Sequence, residues 1–273
     1  MEKLLKIKFF KNFVAFTLAE TLIVMGIIGI VSALTLPNLN SSTGEKEKVA
    51  KVKKIYQNLT DAFDRAQAVY GSYDTWFTQD TTDDAMHKRL AERMTEFMKV
   101  SKSCGTTPEN CFANKVTFLG STVNVSEGLI STGDMEGSYN FILADGTSIA
   151  IGTVGLPSSR TDNSFCTRSY FHGNDYRASI VVDIDGRKGP SEYGKDIFVF
   201  SIYEVDNQYV LYPNVGNPNY EIDKDSLLSS GYMGLAGSLW IIENDNMDYL
   251  KLDSNGKCPN GKTLNFSTNT SCN

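Results

Sequence analysis

The chain has 273 residues, 41% of them hydrophobic and 21% charged, with a net charge of −6. That composition belongs to a folded protein with a sizeable core and excludes wholesale disorder. The acidic balance excludes a nucleic-acid binder held by bulk electrostatics.

Lys3, Lys6, Lys8 and Lys11 against Glu2 give residues 1–15 a charge of +3, which leaves −9 on the remainder. An apolar run of 19 residues follows, from Leu18 to Leu36, interrupted by Glu20 and Thr21 and closed by Pro37. This is the length of a helix that spans a bilayer. The lysines before it place its start in the cytoplasm and everything after Pro37 outside. A secretory signal peptide is the first alternative, with Val31-Ser32-Ala33 as its cleavage site. Glu20 near the start of the run and the helical pattern beyond it argue against that reading.

The stretch Ala15-Phe16-Thr17-Leu18-Ala19-Glu20-Thr21-Leu22-Ile23-Val24 resembles the cleavage and methylation signal of type IV prepilins, and Ile27-Ile28-Gly29-Ile30-Val31-Ser32-Ala33 and Pro37 continue the resemblance. The resemblance implies that a prepilin peptidase cuts between Ala15 and Phe16 and methylates the new amino group of Phe16. The family usually has glycine where this chain has Ala15. The resemblance further implies a cleaved basic leader over 1–15, a transmembrane and assembly helix over 16–37 and an extracytoplasmic pilin-like domain over 38–273. The precursor would lie in the inner membrane with a cytoplasmic N-terminus. The mature subunit would join other pilin subunits in a periplasmic or extracellular fibre, a type IV pilus or a type II secretion pseudopilus.

Glu20 carries two readings. A carboxylate in the hydrocarbon region costs about 2.5–3.5 kcal/mol on insertion scales, so it needs a partner or a path to water. It either snorkels to the interface or, as the resemblance implies, pairs with the Phe16 amino group of a neighbouring subunit during assembly.

Beyond Pro37, which kinks the helix or opens a turn in it, an apolar stripe runs through Val49, Val52, Tyr56, Leu59, Phe63, Ala66 and Tyr70. Its alternating spacing of three and four predicts one face of a helix. A coiled coil is the rival reading; packing against a sheet in the same chain suits Ala66 and the two tyrosines better. A second helix is expected from Asp83 to Val100, with Met86, Leu90, Met94, Phe97 and Met98 on its core side.

Five cysteines stand in the sequence. Cys104 with Cys111, and Cys258 with Cys272, enclose short polar loops that suit disulfides in an oxidising compartment. Zinc is the competing reading, but neither pair has the close spacing of a zinc site. Cys166 is left over.

From residue 115 the pattern turns to strands: Val116–Leu119, Tyr139–Leu143, Thr147–Ile151, Ser179–Ile184 and Asp196–Ile202. Asp145-Gly146 between two apolar runs signals a hairpin. The expected fold class is α+β, a long N-terminal helix laid on an antiparallel sheet, the architecture that the pilin resemblance also implies. Residues 203–273 show no clear period.

The connection from Asp183 to Asp196 holds three aspartates and a glutamate. Asp183, Asp185 and Asp196 are the candidate ligands of a calcium ion, which takes carboxylates and backbone carbonyls. Strand-connecting loops of some pilin-like proteins hold calcium, which supports the assignment. It is not an EF-hand, since Arg187 and Gly194 stand where ligands are needed. The alternative is a turn in which Asp and Gly supply geometry alone, and Lys188 and Lys195 would repel a cation.

Phosphate-cradling glycine loops, zinc-protease motifs and nucleophile elbows are lacking, and the chain is read as no enzyme. His87 and His172 read as solvated surface histidines. The functions that remain are a minor pilin or pseudopilin, an adhesin or receptor module on such a fibre, and a plain membrane-anchored envelope protein. The bulk of the body favours the first.

Overall fold

The computed structural model describes residues 17–77, 83–118, 121–124, 138–153, 176–213, 233–253 and 255–272. The protein divides into two units, Met1–Gly44 and Glu45–Asn273. Helix α1 (Leu18–Tyr70, 53 residues) contributes to both and includes Pro37.

In the second unit, α1 buries Val49, Val52, Ile55, Leu59, Ala62, Phe63 and Ala66. The spacing is that of a single helix face, and Tyr56 and Tyr70 flank it half-buried. Gly71 ends the helix: its φ of +82° is the left-handed turn that releases the chain, and its N–H still reaches the Gln67 carbonyl at 2.9 Å. The chain then packs Tyr73 and Trp76 against Phe63.

The remaining elements are α2 (Asp83–Thr95), β1 (Val100–Gly105), β2 (Lys115–Phe118), β3 (Ser121–Asn124), β4 (Tyr139–Leu143), β5 (Ser148–Thr153), β6 (Tyr176–Asp183), β7 (Ser191–Glu192), β8 (Ile197–Val205), β9 (Gln208–Tyr212) and α3 (Met233–Asn244). Six strands form one sheet in the order β1-β4-β5-β6-β8-β9, and every neighbouring pair is antiparallel. A three-stranded sheet, β3-β2-β7, includes one parallel pair, β2 with β7. The class is therefore α+β with an antiparallel main sheet, as the strand pattern predicts. The hairpin at Asp145-Gly146 joins β4 to β5, closed by Leu143 N–H on the Thr147 carbonyl at 2.8 Å.

Strand alternation divides the sheet between two cores. Ile180, Val182, Phe198 and Phe200 join the cluster around α1 and α2, whereas Val181, Ile197 and Val199 pack with Phe112, Val116 and Tyr193 on the other face. Helix α1 also guards the β9 edge. Tyr56 Oη donates to the Leu211 carbonyl at 3.4 Å and Gln67 Nε2 to the Tyr209 carbonyl at 3.1 Å. These carbonyls are two residues apart, so they point the same way, and edge acceptors that would invite another strand are occupied.

Two sequence expectations need correction. The second helix stops at Thr95, and Val100, expected at its end, opens β1 instead. His87, read as a solvated histidine, is 3% exposed. It shares the inner side of α2 with Met86, Leu90, Ala91 and Met94. Its Nδ1 accepts the Thr153 backbone N–H at 2.8 Å, which requires the tautomer protonated on Nε2. His172 lies outside the described residues.

His87→Ala strands the buried Thr153 N–H without its acceptor. We expect a loss of about 1–3 kcal/mol in chemical denaturation. A midpoint equal to that of the unaltered protein would remove His87 from the α2–β5 contact.

Candidate functional site

Two places bear on function, one in each unit. In the first, Ala15 and Phe16 lie outside the described residues. Thr17 stands at the N-cap of α1 and its side chain faces Glu20. The Glu20 N–H donates to Thr17 Oγ1 at 3.2 Å, while Glu20 Oε2 accepts the Thr17 N–H at 2.9 Å and the Thr17 hydroxyl at 2.8 Å. This reciprocal arrangement is a capping box. It supplies Glu20 with a partner inside its own chain, a role neither sequence reading contained. The signal was present as Thr17-Leu18-Ala19-Glu20, a Thr with a Glu three residues on.

From Leu22 to Val31 the side chains on α1 are apolar and exposed. Leu22, Ile23, Ile27, Ile28, Ile30 and Val31 are each between 54% and 65% exposed. An all-apolar helix surface is stable only against hydrocarbon or other apolar side chains. Among the described residues, no helix is long and apolar enough to cross a membrane.

The second place is the β6–β8 connection. Asp183, at the end of β6, is completely buried. Its Oδ1 accepts the N–H groups of Asp185 and Gly186, each at 3.0 Å, and so forms the turn. Gly186 is required there: its φ is +62°, and a Cβ would come within 2.3 Å of the Gly146 carbonyl oxygen. The turn thus rests against the β4–β5 hairpin.

Burial raises the Asp183 carboxyl to a pKa of about 6, opposed by the Ser191 hydroxyl and the Asp185 N–H, which favour its charge. Asp196, at the start of β8, is 5% exposed. Its Oδ2 accepts the Glu192 N–H at 3.3 Å and its Oδ1 pairs with the ammonium of Lys48 on α1. The same ammonium lies 3.8 Å from Asp185 Oδ2. The three aspartates are therefore brought to one turn, with a lysine among them. Among the described residues, no group of three or more His, Cys, Asp or Glu side chains is arranged to hold a metal ion. Lys195, expected to repel a cation, faces Glu192 at 3.7 Å.

Both expected disulfides are present: Cys104–Cys111 with Cα atoms 6.0 Å apart, and Cys258–Cys272 with Cα atoms 5.4 Å apart. Cys166 lies outside the described residues. The second disulfide holds a tail fastened to the body by Asp248, whose Oδ2 accepts the Ser271 hydroxyl and the Cys272 N–H, each at 2.7 Å. Phe266 meets Trp240 edge-on at 4.9 Å.

No family model, curated protein or solved structure matches this chain.

The Asp183 shift fixes the sign of a pH effect. Its folded pKa lies above the ordinary carboxylate value, so the folded state holds this proton more tightly than the unfolded state. The resulting stabilisation is full below about pH 4 and is lost as pH rises through about 6. Asp183→Asn keeps an acceptor for the turn and carries no charge. We expect it to raise stability at pH 7 by about 1–3 kcal/mol and to remove this group's pH dependence. Denaturation across that pH range decides, and a variant weaker at pH 7 would show that the charged carboxylate is needed.

Proposed function

We propose that the chain is a structural subunit, a minor pilin or pseudopilin, of a type IV pilus or type II secretion-like fibre, assembled through the first part of α1. The observation that carries this reading is the exposed apolar surface from Leu22 to Ile30. A bilayer before assembly and the helices of neighbouring subunits after it would cover that surface. Three further features support the reading. The basic leader and the Ala15-Phe16 junction fit a prepilin peptidase. A long helix followed by an antiparallel sheet fits the pilin-like architecture. The two disulfides fit an extracytoplasmic body.

The capping box sharpens the part assigned to Glu20. Its carboxylate is held at the N-terminal end of α1, where removal of residues 1–15 would create a positive amine on Phe16. A neighbouring subunit displaced along the fibre would bring its own amine to that carboxylate. In surroundings poor in water the attraction is far stronger than at an open surface, although desolvation offsets much of it. Register is the larger consequence, since a misplaced subunit leaves a charge unmatched.

Intact-mass measurement of the mature protein is expected to show a start at Phe16 with a methylated amino group. A start at Met1, or one beyond the apolar run, would rule out the processing. Glu20→Ala removes cap and charge together, whereas Glu20→Gln keeps a capping side chain and removes only the charge. Both variants should insert and fold yet lose about tenfold or more in incorporation into sheared fibres, the factor equivalent to ~1.4 kcal/mol. Full incorporation of the Glu20→Gln protein would reduce Glu20 to a helix cap.

A further inference from the structure

Asp183, Asp185 and Asp196 of the β6–β8 connection are the candidate calcium ligands of the sequence, and the side chains there do not fit that ion. Calcium takes 6–8 oxygen ligands at about 2.3–2.6 Å. Here Asp183 Oδ1 is taken by two backbone N–H groups, Asp196 Oδ2 by the Glu192 N–H and Asp196 Oδ1 by Lys48. Three of the carboxylate oxygens thus have donors from the chain itself; Asp183 Oδ2 is buried without a hydrogen-bond partner among the described residues, but the nearest Asp185 oxygen already lies 3.8 Å from the Lys48 ammonium, and no group of three or more carboxylates among the described residues is arranged around a metal.

We propose that Lys48 is the resident cation of this turn: its ammonium stands where a divalent ion would otherwise balance Asp185 and Asp196, and it fastens the turn to α1 without metal. The helix delivers it there reliably. Val49 and Val52, on either side of the next turn, are 8% and 0% exposed, so this part of α1 is fixed against the core. A lysine ammonium is a compact charge with three donors and can serve two carboxylates at once.

The other lysines of α1 show what sets Lys48 apart. Lys53 pairs with Asp245 at 2.6 Å and Lys54 with Asp145 at 3.4 Å, but the aspartate side chains there are 71% and 44% exposed. Exposed pairs of that kind contribute little. The Asp196 side chain is only 8% exposed and that of Lys48 25%, so water screens this pair less. Removing one partner of a shielded pair leaves the other charge uncompensated. Without Lys48, Asp185 and Asp196 would face each other with Asp183 beside them, a concentration of negative charge that a divalent cation could relieve. The proposal is independent of the fibre reading and would hold for the body of a protein with any function.

The test is a set of thermal melts of the full chain in detergent, in chelator and in millimolar calcium. The unaltered protein should melt at one temperature in both. Lys48→Met keeps the length of the stem and loses the charge. It should melt about 3–8 °C lower in chelator and recover part of that loss in calcium, while Lys48→Arg should behave as the unaltered protein in both. A calcium-dependent melt of the unaltered protein would overturn the proposal. So would a Lys48→Met protein as stable as the original in chelator, or one that melts low and does not respond to calcium. Terbium emission sensitised through Tyr193 needs no variant. The unaltered protein should give none, and emission from it would place a metal in the turn despite Lys48.

Discussion

The seating of the second part of α1 on the six-stranded sheet is the constraint from which the body of the protein follows. Val52, Leu59, Phe63 and Ala66 are fully buried along one helix face, and each large side chain so removed from water contributes about 1.5–3 kcal/mol. Tyr56 stacks on Phe200 of β8 with ring centroids 5.7 Å apart, which ties the helix to the strand beside the β9 edge. From that one contact come the guarded β9 edge, the placing of Lys48 at the β6–β8 turn and the wall of aromatic rings at the helix end. Arg93 of α2 reaches back to lie 4.7 Å from the Tyr70 ring and 4.8 Å from that of Trp76. A cation over two rings is attracted to both faces, so α2 closes over the end of α1.

The sheet is shielded on both faces, and this explains why its middle strands read as continuous apolar runs. All eight residues of β6 are buried, as are the first seven of β8. Alternation still operates, but between two different cores rather than between core and water. The second core is small, so the pieces of chain that build it are held covalently and by turn geometry. The Cys104–Cys111 bridge brings Cys111 and Phe112 to it, and the hydroxyl of Ser148 in β5 donates to the Cys111 carbonyl at 2.6 Å. The Cys104–Cys111 bridge thus serves the core with the less apolar mass, whereas Cys258 and Cys272 belong to the larger one.

How far the sequence could be read depended on whether an element carries a period. The α1 stripe, the Asp145-Gly146 hairpin and strands β4, β6 and β8 were legible because burial on a defined face imposes a spacing. Ile55 and Ala62 were absent from the predicted stripe although both are buried, since a 3.6-residue period cannot say how wide the covered face is. Strand β1 escaped notice because its residues are exposed or half-exposed, with no apolar alternation to betray it. Helix α3 escaped for the opposite reason: Leu239, Trp240 and Ile241 are all buried in succession, which erases any polar side. His87 was misread because a histidine beside Met86 says nothing of the Thr153 N–H it meets 66 residues away. The pairing of Lys48 with Asp196 spans 148 positions and was equally out of reach. The acidic turn itself was legible; the cation that answers it was not.

Helix α1 handles its charges in two ways. Three of its lysines in the second unit are turned toward aspartates brought from separate loops: Lys48 to the β6–β8 turn, Lys53 to the residue after α3 and Lys54 to the β4–β5 hairpin. Those pairs add to a seating that the apolar face already secures, and two of the three are too exposed to add much. Around Glu20 the apolar side chains of Leu18, Leu22 and Ile23 are exposed. A carboxylate in that position is tolerable alone only because the capping box gives it donors: the Thr17 N–H and hydroxyl. Both donors are neutral, so no charge among the described residues matches that of Glu20. On the fibre reading, that combination is what a registering group requires. The cap fixes where the carboxylate points, while the surviving charge leaves a reason for a neighbour's amine to find it. A fully neutralised Glu20 would sit comfortably in hydrocarbon at any register, and an uncapped one would turn away toward water.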